Sequence, residues 1–167
     1  MFLKSRTALL PTTALALFVF SLVPVRQSVA QMAPPRVNKN LYSATADAKA
    51  DIAAALTQAS RENKRIILDF GGNWCGDCQV LDIYFHQSPN AELLAKSFVV
   101  VHVDLGRMDK NVDVADKYGV PLKKGVPALA VIDSRGKVLY SQKTGEFENM
   151  RNMSVDSVTT FLNRWKA

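Results

Sequence analysis

Hydrophobic residues recur at helical spacing in some parts of residues 45–167 and form short apolar runs in others. Ile52, Leu56 and Ala59 recur at helical spacing, and Asp47 is placed to cap the helix that contains them. Short runs rich in β-branched residues have the length and composition of buried strands. The predicted elements, in chain order, are helix 45–63, strand 65–70, a helix from about 75, a helix from 88, strand 98–105, helix 111–118, strands 128–133 and 138–142, and helix 154–166.

This order of elements predicts the fold class. A strand–helix–strand unit returns the chain in the same direction and makes its two strands parallel, whereas the closing hairpin makes its strands antiparallel. We therefore expect an α/β fold with a mixed central sheet and helices on both faces. The four valines of strand 98–105 predict a central place in the sheet. Ser88 and Pro89 have the residue types of a helix N-cap and first helical position.

The first thirty residues have the pattern of an export signal. Lys4 and Arg6 provide a positive start, residues 8–25 are mostly apolar, and the small residues Ser28 and Ala30 stand where a signal peptidase reads the chain. We expect residues 1–30 to be a signal peptide, cleaved after Ala30, and the protein to be exported to the periplasm. The alternative is a retained membrane anchor, which the prolines and threonines within the apolar stretch disfavour.

Composition and charge exclude some classes of protein. Residues 31–44, with paired prolines, predict a flexible lead-in, and residues 45–167 are long enough for one domain with its own core. The chain has 21 Lys and Arg against 15 Asp and Glu, and removal of residues 1–30 leaves 18 against 15. This small excess, without a basic stripe, gives no indication of nucleic-acid binding. We expect membrane contact only if the N-terminal segment is retained.

The two cysteines, Cys75 and Cys78, stand two residues apart at the start of a predicted helix. A disulfide between them would close too short a loop to stabilise the fold appreciably. The free N–H groups and the dipole at a helix N-terminus favour the thiolate form of Cys75. Cys78 lies one turn later on the same face, within reach of a disulfide. The pair is therefore suited to thiol–disulfide exchange, in which one sulfur attacks a partner and the other resolves the mixed disulfide.

Two neighbours of the cysteines are candidate site residues. Trp74 is predicted to cover one side of the sulfurs and to offer a flat apolar contact to a partner, with core packing as the alternative. Asp69 lies six residues before Cys75 in an apolar strand. A buried carboxylate at this position can accept and return the proton of Cys78 through water, and the alternative is a strand-end aspartate that faces solvent.

Several segments resemble, in the same order, those of the thioredoxin superfamily. They are Asp69-Phe70, Trp74-Cys75-Gly76-Asp77-Cys78, Lys117-Tyr118-Gly119-Val120 and Gly125-Val126-Pro127. The resemblance extends over about residues 45–166 and implies a thioredoxin fold and thiol:disulfide oxidoreductase activity. With the export signal and the cysteine motif continued through Asp82, the chain is similar to exported thioredoxin-like reductants, such as the reductase domains of transmembrane thiol:disulfide interchange proteins.

The resemblance also assigns roles to residues. It makes Cys75 the attacking thiol, Cys78 the resolving thiol and Asp69 the buried carboxylate that exchanges a proton. It makes Pro127 a cis-proline that turns the backbone of Val126 outward, where an extended partner segment can pair with it. The implied partners are disulfide-bearing protein substrates and an upstream thiol reductant, and the implied chemistry needs no cofactor and no metal.

The chain departs from the family pattern between and behind the cysteines. Gly76 and Asp77 separate them, and Asp77 stands where ordinary thioredoxins have proline. Its negative charge should oppose the thiolate, stabilise the disulfide relative to the dithiol and give the pair a reducing character. The strand that matches the position of the family's lysine near the buried carboxylate reads VVVHVD and contains no lysine.

Two functions of other classes use the same residues. A zinc or copper carrier would bind its metal through sulfur and imidazole ligands, although the spacing fits no zinc-finger pattern. The candidate ligands are Cys75, Cys78, His86, His102, Met150 and Met153. The second alternative is a non-catalytic binding module on a thioredoxin-like scaffold.

Overall fold

The computed structural model describes residues 37–167, so the predictions for the signal peptide and for residues 31–36 lie outside the described residues. Five helices and four strands are numbered here in chain order. The helices are α1 Ala48–Glu62, α2 Gly76–Phe85, α3 Asn90–Ser97, α4 Val112–Lys117 and α5 Val155–Trp165. The strands are β1 Arg65–Gly71, β2 Phe98–Asp104, β3 Ala128–Ile132 and β4 Val138–Ser141, and short 3-10 turns span Leu122–Lys124 and Met150–Asn152. In this part of the chain no helix has both the length and the apolar character needed to cross a membrane.

The four strands form one mixed sheet in the order β2-β1-β3-β4. Strand β1 runs parallel to β2 and antiparallel to β3, and β3 is antiparallel to β4. Helices α1 and α4 pack against one face of the sheet, and α2, α3 and α5 pack against the other. The predicted α/β fold, with a mixed central sheet and helices on both faces, is confirmed.

The prediction that the valine-rich strand lies at the centre of the sheet is wrong. Strand β2 is an edge strand, and the centre is formed by β1 and β3, which are buried along almost their whole length. Val101 and Val103 of β2 are buried in the core beneath α1. Helices that cover an edge strand create the same demand for β-branched residues as a second neighbouring strand does, so composition does not distinguish the two positions.

Helix starts follow the sequence pattern in one case and depart from it in another. Asp47 caps α1 as predicted, since its side chain accepts hydrogen bonds of 3.0 and 3.1 Å from the N–H groups of the second and third residues of α1. Helix α3 begins at Asn90, with Pro89 as its N-cap residue and no side-chain cap, so the prediction that Ser88 caps this helix is wrong. Instead, the buried Asn90 amide donates to the carbonyl oxygen of Tyr84 at 3.0 Å and holds α3 against the end of α2.

The predicted flexible lead-in, residues 31–44, contains two residues that are buried in the domain. Leu41 and Tyr42 pack against the cysteines. The N–H of Tyr42 donates to the side-chain oxygen of Asn73 at 2.9 Å, and the Asn73 amide donates back to the carbonyl oxygen of Tyr42 at 2.7 Å. The prediction of flexibility is therefore wrong for Leu41 and Tyr42, because proline content is a local signal and their partners are thirty residues away in the chain.

Candidate active site

The two cysteines form a disulfide at the N-terminus of α2, directly after β1 and a short turn. Cys75 is the N-cap residue of α2, and its Sγ accepts a hydrogen bond of 3.1 Å from the N–H of Cys78. Cys75 is 5 % exposed, whereas Cys78 is completely buried. Cys75 is thus the sulfur that a partner can approach, and the helix N-terminus beside it stabilises a thiolate there.

Gly71, at the end of β1, allows the strand to pass close beneath the disulfide. A Cβ atom at this position would lie within 2.7 Å of both the Sγ of Cys78 and the hydroxyl of Tyr42. No side chain fits in this space. The glycine therefore brings the strand end, the resolving cysteine and the tyrosine into one small cluster.

The loop before β3 faces the disulfide. The carbonyl oxygen of Val126 lies 3.5 Å from the Sγ of Cys75, and the peptide bond between Val126 and Pro127 is cis. The buried side chain of Gln142 supports this loop by donating to the carbonyl oxygen of Pro127 at 3.3 Å and accepting from the N–H of Leu129 at 3.2 Å. Sequence reasoning missed Gln142, since its contact is made across the β3–β4 pair.

Trp74 is 46 % exposed and lies beside Cys75 at the surface, so the alternative that it fills the core is wrong. Its indole N–H donates to the carbonyl oxygen of Gly106, in the loop after β2. This bond orients the ring, and one large apolar face remains available to a partner next to the reachable sulfur.

Asp69 lies in β1 with 1 % exposure, so the alternative of a solvent-facing aspartate is also wrong. One carboxylate oxygen, Oδ2, accepts a hydrogen bond of 2.9 Å from the hydroxyl of Tyr42 and is 2.9 Å from the Nδ1 of His102. The other oxygen, Oδ1, is buried and has no hydrogen-bond partner in the described structure. The carboxylate is therefore only half satisfied, because Oδ1 is a buried acceptor without a donor.

The two partners of Asp69 have shifted pKa values. Burial, reinforced by the charge and hydrogen bond of Asp69, raises the pKa of Tyr42 well above its usual value. Burial works to lower the pKa of His102, but its hydrogen bond to Asp69 and the charges of Asp69 and Asp82 outweigh that effect, so the pKa of His102 is raised. Tyr42 thus keeps its proton throughout the neutral range, and the contacts of His102 with Asp69 favour its protonated form.

These two partners were not predicted as site residues. His102 was considered only as a metal ligand, yet it lies directly opposite Asp69 in the parallel register of β1 and β2. A register aligned from the two apolar runs would have indicated this pairing. Tyr42 carried no such signal, because it reaches the site from a segment before the first helix.

Asp77 stands between the two cysteines in the chain, and its charge is paired with that of Arg151. The guanidinium of Arg151 binds its carboxylate with contacts of 2.9 to 3.2 Å, and the N–H of Arg151 adds a hydrogen bond of 3.0 Å. Burial works to raise the pKa of Asp77, and the contacts with Arg151 outweigh it, so the pKa is lowered. The sequence led us to expect that the negative charge of Asp77 is unpaired and opposes the thiolate. This expectation is corrected, because Asp77 forms an ion pair with Arg151.

Arg151 was missed because nothing local marks it. It lies in the 3-10 turn before α5, about 75 residues after the cysteine motif. Gly76 is exposed, and the nearest side-chain atoms to a Cβ built there belong to Arg151, at 3.8 Å. The guanidinium consequently borders the entrance to Cys75.

The residues considered for a metal site do not form one cluster. Among residues 37–167, no three His, Cys, Asp or Glu side chains form a group that could hold a metal ion. His102 is engaged with Asp69, and Met150 is buried in the apolar core between α2 and α5. His86 extends into solvent beside Asp82.

Comparisons with known proteins agree with this geometry. A family model described as thioredoxin-like matches residues 47–134, which is more than half of the chain. The crystal structure of a disulphide isomerase from Xylella fastidiosa Temecula1 superposes with a TM-score of 0.71 at 40 % identity, covering 74 % of this chain and 95 % of that one. A thioredoxin from Thermus thermophilus, at 17 % identity and a TM-score of 0.50, covers 67 % of this chain and 81 % of its own and shows the fold alone.

One curated relative matches over a shorter length. Protein disulfide isomerase-like 2-2 from Oryza sativa subsp. japonica is 35 % identical over 68 residues, which are 41 % of this chain and 17 % of the relative. The chain thus spans about a sixth of the length of that relative.

The chain belongs to the thioredoxin-like family. Its fold and its Cys75–Cys78 disulfide at a helix N-terminus define a thiol:disulfide oxidoreductase.

Proposed function

We propose that this protein is an exported reductase of protein disulfides that acts through Cys75 and Cys78. The observation that carries the proposal is the arrangement around Cys75. Its sulfur is reachable at a helix N-terminus, the Val126 carbonyl faces it at 3.5 Å, and Cys78 lies completely buried behind it. An extended substrate segment can pair with the backbone at Val126 while its disulfide meets Cys75.

The reduction proceeds in two exchanges. The thiolate of Cys75 attacks one substrate sulfur, the substrate disulfide breaks, and the sulfur that leaves takes up a proton. Cys78 then gives its proton to Asp69 and attacks the Sγ of Cys75. The mixed disulfide breaks, the second substrate sulfur leaves and is protonated, and two electrons have passed from the cysteine pair to the substrate. A thiol reductant in the same compartment restores the dithiol.

Export and the direction of electron flow rest on sequence features. Residues 1–30 have the pattern of a signal peptide, and the motif from Trp74 through Asp82 is similar to that of exported reductants. The charge of Asp77 no longer favours the reducing direction, since Arg151 neutralises it. N-terminal sequencing of the protein recovered from the periplasm tests export, with Gln31 expected as the first residue and an intact residue 1–30 segment as the contrary result.

Substitution of each cysteine in turn tests the roles of the pair. In Cys75→Ser we expect complete loss of disulfide reduction, because the attacking sulfur is missing. In Cys78→Ser we expect mixed disulfides to accumulate on Cys75, visible as reductant-sensitive complexes on gels. Turnover by Cys75→Ser would contradict the assignment. Full partner binding by the double Cys75→Ser, Cys78→Ser variant, in a protein whose wild type reduces no disulfide, would support the binding module instead.

A second candidate function, disulfide isomerisation, is favoured by the printed name of the relative from Xylella fastidiosa. It uses the same residues but needs only the attack and release by Cys75, without net oxidation of the pair. A scrambled protein with several disulfides distinguishes the two. A reductase consumes one equivalent of reductant for each disulfide it opens and depends on Cys78, whereas an isomerase regains native pairing without net consumption and keeps substantial activity in Cys78→Ser.

A further inference from the structure

Polar groups lie close to one another between the buried sulfur of Cys78 and the protein surface. The Tyr42 hydroxyl and the Sγ of Cys78 both lie within 2.7 Å of the Cβ position of Gly71, so they are no more than about 5 Å apart. The hydroxyl donates to the Oδ2 of Asp69 at 2.9 Å, and the Nδ1 of His102 is 2.9 Å from the same oxygen.

His102 is the member of this group that reaches solvent. Its side chain is 27 % exposed, and it borders a cleft between α2, α3 and β2 and a second cleft between α1 and β2. The edge position of β2 makes this possible, because no further strand covers it. Tyr42, Asp69 and Cys78, by contrast, are sealed from solvent.

We propose that Tyr42 and His102 form a proton relay with Asp69 that connects Cys78 to solvent. The proposal rests on the exchange chemistry proposed above and concerns the step in which Cys78 resolves the mixed disulfide. Tyr42 is the bridge between the thiol and the carboxylate, and His102 is the point at which the network exchanges protons with water.

Each proton in the relay has a defined source and destination. The hydroxyl of Tyr42 takes the thiol proton of Cys78 and passes its own proton to Asp69, so Tyr42 is unchanged. The imidazolium of His102, which donates to Asp69 through Nδ1, releases its Nε2 proton to water. One proton enters the network and one leaves, so the network is neutral before the step, as imidazolium and carboxylate, and neutral after it, as imidazole and carboxylic acid. When the disulfide is reduced again, the same path runs in reverse.

The physical reason for such a relay is the cost of uncompensated charge in a buried site. A permanent cation beside Asp69 would hold it as a carboxylate and make it a weak base. The imidazole of His102 can titrate. As imidazolium it balances the negative charge of the Asp69 carboxylate, and as neutral imidazole it leaves the protonated Asp69 without a neighbouring cation. The raised pKa of Tyr42 suits the bridging role, because the hydroxyl can pass a proton on but does not remain deprotonated.

Other titratable groups lie on the elements packed around His102, and the charge of Asp82 acts on its pKa. Asp82 of α2 is buried, and burial raises its pKa although His86 and His102 work to lower it. The further titratable groups on the elements around the relay are His86 of α2, Asp51 of α1, which borders the second cleft, and Asp104 at the end of β2. Controls must therefore separate His102 from the groups on α2.

The experiment follows the reaction of the reduced protein with an aromatic disulfide reagent whose released thiol absorbs light. Attack by Cys75 releases one equivalent in a first phase, and resolution by Cys78 releases the second equivalent in a second phase. The proposal concerns only the second phase. Its rate is measured against pH in the full exported domain, for the wild type and for four single variants.

Two variants test the bridge. In Tyr42→Phe we expect the second phase to slow by at least about tenfold, with the first phase unchanged, because the proton loses its path to Asp69. Tyr84→Phe is the matched control, since it removes another tyrosine hydroxyl that bonds within the α2 region, to the carbonyl oxygen of Met153. A second phase in Tyr42→Phe within twofold of wild type would overturn the bridge and leave direct transfer to Asp69.

Two variants test the exchange point. In the wild type the second phase should slow as the pH rises through the pKa of His102, which lies above its ordinary value, because the imidazolium that releases its Nε2 proton to water is then absent. His102→Gln retains a donor to Asp69 but cannot titrate, so this slowing should disappear, whereas His86→Gln should retain it. An unchanged pH profile in His102→Gln would overturn the role of His102.

Failure of the relay is distinguishable from failure of the proposed function. If the wild type releases no second equivalent, the dithiol does not resolve mixed disulfides and the proposed function itself is wrong. If the wild type releases both equivalents and all four variants match it in rate and pH profile, exchange stands and the relay is wrong.

Discussion

Two aspartates flank the disulfide, and they differ in the charge that they present to it. Asp77 lies between the cysteines and is bound by the guanidinium of Arg151, which stays charged at any working pH. Asp69 lies behind Cys78 and shares one oxygen with a neutral hydroxyl and a titratable imidazole, those of Tyr42 and His102. The carboxylate of Asp77 is held in its charged form, whereas that of Asp69 can gain and lose a proton.

The difference shows how one site can use the same residue type for two purposes. A carboxylate paired with arginine has a lowered pKa and keeps its charge. Its role is to hold the arginine in place and to set the electrostatic potential near the cysteines. A buried carboxylate with a free oxygen and a titratable partner can take up and return a proton during the reaction. The following predictions test whether this division is real, from the largest expected effect to the smallest.

Replacement of each aspartate by its amide should have very unequal effects on resolution by Cys78. We expect Asp69→Asn to slow the second phase of thiol release by roughly 10²-fold at neutral pH, the usual contribution of a positioned general base. Asp77→Asn should change that phase less than about threefold, because its carboxylate is engaged with Arg151. Stopped-flow absorbance measures both rates. Equal slowing by the two variants would remove the distinction between the aspartates.

The Asp77–Arg151 pair should influence the reactivity of Cys75 only when it is broken. Arg151→Gln leaves an unpaired carboxylate beside Cys75, so we expect alkylation of the reduced protein at neutral pH to slow by roughly threefold, an effect limited by solvent screening. Asp77→Asn leaves the cation and should accelerate it. The double variant should return close to the wild-type rate. A double variant that reacts as slowly as Arg151→Gln, or as fast as Asp77→Asn, would show that the two charges do not compensate each other.

The two regions should also lose stability at opposite ends of the pH scale, as measured by the thermal midpoint of the oxidised protein. The pKa of Asp77 is lowered, so its contribution is present above the ordinary aspartate pKa of about 3.9 and is lost as the pH falls through the lower folded value. The pKa of His102 is raised, so its contribution is present below about 6.5 and is lost as the pH rises through the higher folded value.

Variants separate these two contributions. Arg151→Gln should flatten the acid side of the stability profile and His102→Gln the alkaline side, each by on the order of 2 °C because both pairs are partly open to solvent. Calorimetry across the pH range measures the shifts. The comparison fails if Arg151→Gln flattens the alkaline side, or if neither variant alters the profile.

Local sequence patterns were sufficient to predict most of the helices and strands and the chemistry of the cysteine pair. Periodicity located the helix capped by Asp47, the apolar runs located β1 and β3, and two cysteines at a helix start indicated exchange chemistry. These features depend on residues within one or two turns of each other. The order of the strands did not follow in the same way, because a run of valines is equally suited to a covered edge and to the centre of a sheet.

The amino-acid sequence by itself determined that a reactive cysteine pair follows a buried strand, with a carboxylate in that strand and a Gly-Val-Pro segment later in the chain. Only the tertiary structure decided what each carboxylate faces. Arg151 reaches Asp77, and Tyr42 and His102 reach Asp69, from segments about 27 to 75 residues away. The state of a charged group depends on the few ångströms around it, and the folded chain fills that space with residues that no local spacing connects.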